Sequence, residues 1–128
     1  MEKYQDLYEN SPDMHVSVDA KTAKIVRCNE TTLKVLGYTR EEVMGRSIFD
    51  MYAPESVNYA KKTVFPQFRQ TGEIRDEELQ VMRKDGSAIP VSLNTSAVYD
   101  TDGEIIQSRS VWRDVTDYKL AAKALKES

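Results

Sequence analysis

Alternating apolar and polar residues divide the second half of the chain into strands separated by tight turns. The alternation predicts three strands, at 73–83, 88–99 and 104–113. Asp-Gly dipeptides at 85–86 and 102–103 separate them, and glycine supplies the positive φ that a tight hairpin turn requires. The pattern therefore predicts an antiparallel meander that ends at the polar tetrapeptide 114–117 and passes into a helical tail.

The first half of the chain opens on a short helix and a hairpin. Apolar residues at helical spacing between Tyr4 and Tyr8 predict an amphipathic helix that stops at Asn10-Ser11-Pro12-Asp13. Residues 14–19 alternate as a half-buried strand does, and a polar turn leads to a partner strand at 25–28. These two strands are predicted to form the first hairpin.

Between the two sets of strands the apolar period lengthens to three or four residues, which predicts helices. The predicted helical segments run from Asn29 or Glu30 to Gly37, from a Thr39 capping box to Gly45, from 47 to 52 and from about 55 to 71. Pro66 lies inside the longest segment and predicts a kink or a split near Phe65.

The elements together predict an α+β fold in which an antiparallel sheet carries helices on one face. This arrangement is favoured because the apolar stripe of the helices and the apolar face of the sheet can bury each other. We divide the chain into a cap helix at 1–12, one domain at 13–117 and the start of an exit helix at 118–128. A length of 128 residues suits one domain with a single core.

Composition and charge exclude several kinds of partner. The basic residues are scattered and the net charge is -3, which argues against nucleic acid. No apolar run reaches the roughly 20 residues of a membrane helix, and the amino terminus lacks a secretory signal pattern. Cys28 is the single cysteine, so an internal disulfide is excluded and a reducing, cytoplasmic location is expected.

Short motifs in a fixed order make the chain resemble the PAS sensory domain family. The segments that carry the resemblance are 7–13, 29–30, 36–42, 45–47, 83–86 and 113–117. The resemblance is to a generic sensory type, not to the light-oxygen-voltage or haem subtype. It implies a five-stranded antiparallel sheet in the order 2-1-5-4-3, with helices over one face and a pocket between them.

The resemblance also implies roles for four polar residues. Glu42 is similar to the carboxylate that pairs with a lysine at the hairpin tip, here Lys84, although a plain surface ion pair explains the same residues. Asp114 and Thr116 resemble the strand-end motif that holds the joint between the last strand and the exit helix. A local Asx-type cap is the alternative, and it also positions that helix.

Strand alternation and helical spacing select the residues of a pocket. Its floor is predicted to comprise Leu79, Val81, Val91, Leu93, Thr95, Ile106, Ser108, Ser110 and Trp112. Its walls are predicted to comprise Cys28, Leu36, Tyr59, Thr63 and Val64. A packed core is the alternative for most of these residues. Thr95, Ser108 and Ser110 are more informative, because hydroxyls on an apolar face need a ligand, a water or a backbone partner. Trp112 either fills the pocket or stacks on a flat ligand.

The sequence lacks the residues that bind the well-known cofactors of the family. The Asn-Cys-Arg-Phe type motif of covalent flavin binding is absent, and the only histidine, His15, lies in a strand instead of on the long helix that carries a haem ligand. One cysteine and one histidine do not make a usual metal site. Covalent flavin, haem and metal are therefore disfavoured, while a non-covalent flavin, a small carboxylate or another small metabolite stays open.

No nucleophile and base spacing or phosphate-binding glycine loop is present, so we expect no catalysis within the chain. Val115, Tyr118, Ala122 and Leu125 have the spacing of a coiled-coil seam, which any amphipathic surface helix shares. We expect a sensory module that binds a small molecule and signals through this helix to a linked output domain, such as a histidine kinase of a two-component system or a nucleotide cyclase. The alternative is a ligand-free dimerisation module, with a homodimer formed through the terminal helices or the outer sheet face.

Overall fold

A five-stranded antiparallel sheet in the order β2-β1-β5-β4-β3 is the frame of the molecule. The computed structural model describes residues 3–127. The strands are β1 (Met14–Asp19), β2 (Ile25–Cys28), β3 (Glu73–Met82), β4 (Ala88–Tyr99) and β5 (Ile105–Asp114). The predicted α+β class and strand order are confirmed, and the two Asp-Gly turns join β3 to β4 and β4 to β5.

Six α-helices and two short irregular helices complete the described chain. The α-helices are α1 (Lys3–Glu9), α2 (Glu30–Leu36), α3 (Arg40–Val43), α4 (Pro54–Tyr59), α5 (Phe65–Thr71) and α6 (Thr116–Glu127). A 3₁₀ turn spans Ile48–Met51 and a π turn spans Ala60–Val64. Residues 1, 2 and 128 of the predicted terminal segments lie outside the described residues. Apolar side chains from the helical segments between β2 and β3 and from one face of the sheet form a single core, to which α1 and α6 contribute no buried residue.

Pro66 is accommodated by a π turn within the long helical segment at 54–71. Proline has no N–H, and its ring crowds the preceding turn of an α-helix. The chain widens before it: the N–H of Phe65 donates to the carbonyl of Ala60, five residues back, and the α-helix resumes. The predicted irregularity near Phe65 therefore takes the form of a π turn at 60–64.

The predicted capping box at the start of α3 is present. The Thr39 hydroxyl accepts the Glu42 N–H at 3.3 Å, and the Glu42 carboxylate accepts the Thr39 N–H at 2.9 Å. These bonds satisfy amides that the first turn of a helix leaves without partners. The helix ends at Val43, earlier than the predicted end at Gly45.

Asn29 joins three elements through one buried side chain. It caps α2, at one of the two starting positions that the sequence predicts, and its Oδ1 accepts the N–H of Thr32 at 3.1 Å. The same oxygen accepts the N–H of His15 in β1 at 3.0 Å, while Nδ2 donates to the carbonyls of Tyr8 at 2.9 Å and Asp13 at 3.0 Å. The Asn29 side chain is fully buried, so water does not reach its backbone partners to form hydrogen bonds in its place.

A β-bulge in β5 reverses the predicted orientation of Ile106. Val98 pairs with Gln107 whereas Tyr99 pairs with Ile105, so Ile106 is the extra residue on β5. Ile105 packs on the core, and Ile106 is 43% exposed. The prediction that Ile106 lies on the pocket floor is wrong, because simple alternation does not survive an inserted residue.

We expect Asn29→Ala to lower the free energy of unfolding by roughly 3 kcal/mol, because it leaves buried amides and carbonyls in α1, β1 and α2 without hydrogen-bond partners. Urea denaturation followed by far-UV circular dichroism measures this change. Asn58→Ala is the matched control, since Asn58 is exposed on α4, and it should change stability by less than about 0.5 kcal/mol. Equal effects of the two substitutions would show that Asn29 does not join these elements.

Candidate functional site

A small cavity lies between the sheet and the long helical segment. Its lining comprises Val18, Ile48, Phe49, Tyr52, Ala60, Val64, Phe65, Phe68, Ile74, Leu93, Thr95, Ser108 and Ser110. The cavity volume is about 40 Å³, whereas one water needs roughly 10–15 Å³ of such space. The cavity in this conformation therefore suits a few waters or a very small molecule, and it is well below the roughly 300–1,000 Å³ of drug-sized ligand pockets.

Three hydroxyls lie on the sheet side of the cavity, and each has a partner within the protein. Thr95 Oγ1 and Ser110 Oγ are 2.9 Å apart and share a hydrogen bond between β4 and β5. Ser108 Oγ accepts the backbone N–H of Val18 at 3.2 Å. Protein partners thus explain how these hydroxyls are buried. A hydroxyl in one such bond still has capacity for another, so the group can also bind a molecule in the cavity.

Aromatic rings form the helical side of the cavity. Phe49 and Phe65 meet edge to face, with ring centroids 5.6 Å apart, and Phe68 lies 6.3 Å from Phe65. Lys61 Nζ lies 5.5 Å from the Phe49 centroid, and Arg69 Cζ lies 5.0 Å from the Phe65 centroid. The cavity therefore has a phenyl wall opposite its hydroxyl wall.

Helical phase determines which predicted residues reach the cavity. Val64 lines it, together with Leu93, Thr95, Ser108 and Ser110 from the sheet. Tyr59 is 41% exposed and donates its hydroxyl to Glu77, and Thr63 is also exposed. Ala60, Val64 and Phe68 face inward, so positions 59 and 63 are rotated by about 100° toward solvent. The structure therefore places Tyr59 and Thr63 outside the cavity.

The remaining predicted residues are buried in the core and do not line the cavity. They are Cys28, Leu36, Leu79, Val81, Val91 and Trp112. Trp112 packs edge to face on Tyr52, with centroids 5.7 Å apart, and fills space as a core residue. Burial raises the pKa of Tyr52 to about 12, although Trp112 opposes this shift. Tyr52 is therefore a neutral phenol at physiological pH.

Sequence reasoning missed part of the helical wall. Five residues line the cavity although the sequence analysis does not assign them to it: Ile48, Phe49, Ala60, Phe65 and Phe68. The available signal was the apolar stripe at helical spacing, since 60, 64 and 68 are four residues apart. Tyr52, Val18 and Ile74 are the other lining residues that the prediction left out.

The predicted pair at the hairpin tip is present. Lys84 Nζ lies 2.7 Å from Glu42 Oε2, and the Lys84 N–H donates to the Leu36 carbonyl at 2.8 Å. The Lys84 ammonium, assisted by the N–H of Thr39, lowers the pKa of Glu42 to about 2. A side-chain ion pair and a backbone bond thus connect the β3–β4 turn to α3 and to the end of α2.

The joint between β5 and α6 is formed by the predicted Asp114 and Thr116. Asp114 Oδ1 accepts the Thr116 N–H at 2.9 Å and the Thr116 hydroxyl at 2.6 Å. This is the local Asx-type arrangement. The Val115 N–H donates to the Pro90 carbonyl of β4 at 3.1 Å, and Lys119 Nζ lies 2.5 Å from Glu78 of β3. The start of α6 is therefore fixed to the edge of the sheet.

His15 and Cys28 have ordinary structural surroundings. His15 Nε2 lies 3.1 Å from Ser11 Oγ, and its ring meets Tyr8 edge to face. Burial lowers the pKa of His15 and raises the pKa of the Cys28 thiol, which the Arg40 guanidinium partly opposes. Within residues 3–127, no group of three or more His, Cys, Asp or Glu side chains is arranged to hold a metal ion. In the same range, no helix is long and apolar enough to cross a membrane.

A family model of the PAS domain matches residues 12–117, so the chain belongs to the PAS family of sensory domains. PAS is a regulatory module fold. The PAS domain of an HTR-like protein from Haloarcula marismortui is 30% identical, with a TM-score of 0.68 and coverage of 88% of both chains.

Two curated relatives match over shorter stretches. Hypoxia-inducible factor 1-alpha of Gallus gallus is 26% identical over 97 residues, which cover 70% of this chain and 12% of that protein. The phosphoserine phosphatase RsbP of Bacillus subtilis (strain 168) is 24% identical over 86 residues, covering 67% of this chain and 21% of that protein. The matches thus span only about an eighth to a fifth of these relatives.

We expect Glu42→Gln to remove a pH-dependent part of the stability. The folded-state pKa lies below the ordinary value of 4.5, so the contribution of the carboxylate is complete above about pH 4.5 and is lost as the pH falls through about 2. In urea titrations, the stability difference between wild type and Glu42→Gln should shrink across that window. Glu41→Gln, which changes an exposed neighbour, is the matched control. A Glu42→Gln difference that stays constant across the window would contradict the pairing.

Proposed function

We propose that the chain is a sensory module that holds a small molecule in the cavity and relays its presence through α6 to an output domain. The observation that carries this proposal is the continuity of β5. Ser108 and Ser110 line the cavity, and four residues beyond Ser110 the same strand ends at Asp114, which caps α6. At about 3.3 Å per residue, the cavity and the joint are roughly 13 Å apart.

The hydroxyl pair supplies a physical route from occupancy to strand position. A molecule whose polar group takes the position of Thr95 on the Ser110 hydroxyl replaces the side-chain hydrogen bond between β4 and β5. The pairing of these strands continues to Val91 and Asp114, beside the joint. A small change in the spacing of the strands thereby alters the Val115 to Pro90 bond and the direction of α6.

The partners of the module follow from the same proposal. We infer a longer, cytoplasmic protein in which α6 continues toward an output domain such as a histidine kinase or a nucleotide cyclase. Segments 1–12 and 118–128 then flank the sensory domain at 13–117. Homodimerisation through the terminal helices or the outer sheet face would place two such outputs together.

We expect Asp114→Ala and Thr116→Ala to reduce the ligand-dependent change in output of the full-length protein by several fold. Each removes the side-chain bond that positions the first turn of α6. The measurement is output activity with and without an inducing ligand. Asp117→Ala is the matched control, because Asp117 is exposed in the same turn. Unchanged regulation in both joint variants would show that the joint does not couple the cavity to the output domain.

A ligand-free dimerisation module is the second candidate, and the small cavity volume favours it. The exposed Tyr118 of α6, on the predicted seam, supplies apolar surface for such pairing.

If dimerisation is the main function, purified chain should show an apo mass by native mass spectrometry and no thermal shift across a metabolite panel. Tyr118→Asp should then shift sedimentation from dimer toward monomer, because it places a charge on the predicted seam. Lys126→Ala, exposed on the same helix but off the seam, is the control. A small molecule bound at stoichiometric level would support the sensory function instead of dimerisation.

A further inference from the structure

We propose that the cavity takes small neutral molecules, with a hydrogen-bonding group at one end and an apolar body, and that it excludes ions. This inference rests on the proposed sensory function and specifies the class of ligand. It depends on three features of the cavity: the charge of its lining, the position of two cations over its phenyl rings and the division between its two walls.

None of the residues that line the cavity carries a charged side chain. Tyr52 is the one lining residue with an ionisable side chain, and burial keeps its phenol neutral at physiological pH. An ion that entered would lose its hydration without gaining an opposite charge, which is costly in an apolar environment. The lining therefore selects against carboxylates, phosphates and ammonium groups alike.

Two cations that lie over phenyl rings of the helical wall are outside the cavity. Lys61 and Arg69 are exposed, and neither lines the cavity. Lys61 lies over the Phe49 ring, and Arg69 lies over the Phe65 ring while donating to the Ala20 carbonyl at 2.8 Å. These contacts keep both positive charges at the outer surface, so they do not compensate an anion within.

The two walls of the cavity impose an orientation on a neutral ligand. Ser108 and Ser110 offer hydroxyls on the sheet side, whereas Phe49, Phe65 and Phe68 offer only carbon on the helical side. A ligand that places one polar group against the serines can leave an apolar body against the phenyl rings. Among the ligands that the sequence left open, small carboxylates and phosphate-bearing flavins do not fit this lining, and neutral metabolites do.

The experiment compares three probes of matched size that differ in charge: 1-butanol, propionate and n-butylammonium. Each is titrated into the uniformly ¹⁵N-labelled chain, and amide shifts at Ser108, Ser110 and Phe65 report binding. We expect 1-butanol to bind at least about tenfold more tightly than either ion, because only the ions pay uncompensated desolvation. Amide shifts of Gly103, an exposed residue of the β4–β5 turn that does not line the cavity, provide the internal control.

Phe65→Ala tests whether a larger cavity still prefers the same class of ligand. Phe65 is only half-buried, so its truncation should leave the fold intact while enlarging the space. We expect this variant to bind 1-butanol several fold more tightly than wild type and still to discriminate against both ions. Tyr99→Ala removes an aromatic ring that does not line the cavity and should behave as wild type.

The outcomes separate the ligand class from the sensory function. Ion binding as tight as that of 1-butanol, in wild type or in Phe65→Ala, overturns the ligand class and leaves sensing in place. Failure of all three probes to bind wild type and Phe65→Ala overturns both, because the cavity then takes no small molecule. Selective binding of 1-butanol supports both.

Discussion

The backbone hydrogen bonds on both sides of β5 are the constraint on which the rest of the molecule depends. One edge of β5 pairs with β1, from Met14 and Trp112 to Asp19 and Gln107, and the other pairs with β4. The first hairpin and the later meander therefore become one sheet only through this strand. Its inward residues form part of the cavity wall, and its last residue begins the exit joint. In the proposed function the cavity and the exit joint share β5, which pairs with β1 of the first hairpin and with β4 of the meander.

The helical cover is attached to this frame by polar contacts at its ends and by apolar contacts at its centre. Asn29 fixes the start of α2 to β1 and α1, and Lys84 fixes the hairpin tip to α2 and α3. Between these attachments, the long helical segment places Ala60, Val64 and Phe68 on the cavity. The uncharged lining and the hydroxyls of β5 are the features from which we propose a neutral ligand that alters the pairing of β4 and β5.

Local features could be predicted from the sequence, whereas features that depend on distant contacts could not. The Asp-Gly turns, the Thr39 capping box and the Asn29 cap involve neighbouring residues, so short motifs determine them. The strand order came from family resemblance, since alternation does not identify the neighbours of a strand. The bulge at Ile106 and the rotation of Tyr59 out of the cavity depend on tertiary pairing and on helical phase. Only part of the cavity wall was therefore predicted correctly in position, mostly from the sheet.

The coupling of the cavity to α6 through β5 is tested most directly by amide hydrogen exchange at the joint. Exchange is measured by NMR on the whole chain with and without saturating 1-butanol. If β5 couples the two sites, filling the cavity changes the exchange rates of Val115, bonded to Pro90, and Thr116, bonded to Asp114, while Gly103 is unaffected. Changes confined to the residues that line the cavity, with Val115 and Thr116 unaltered, would contradict the account.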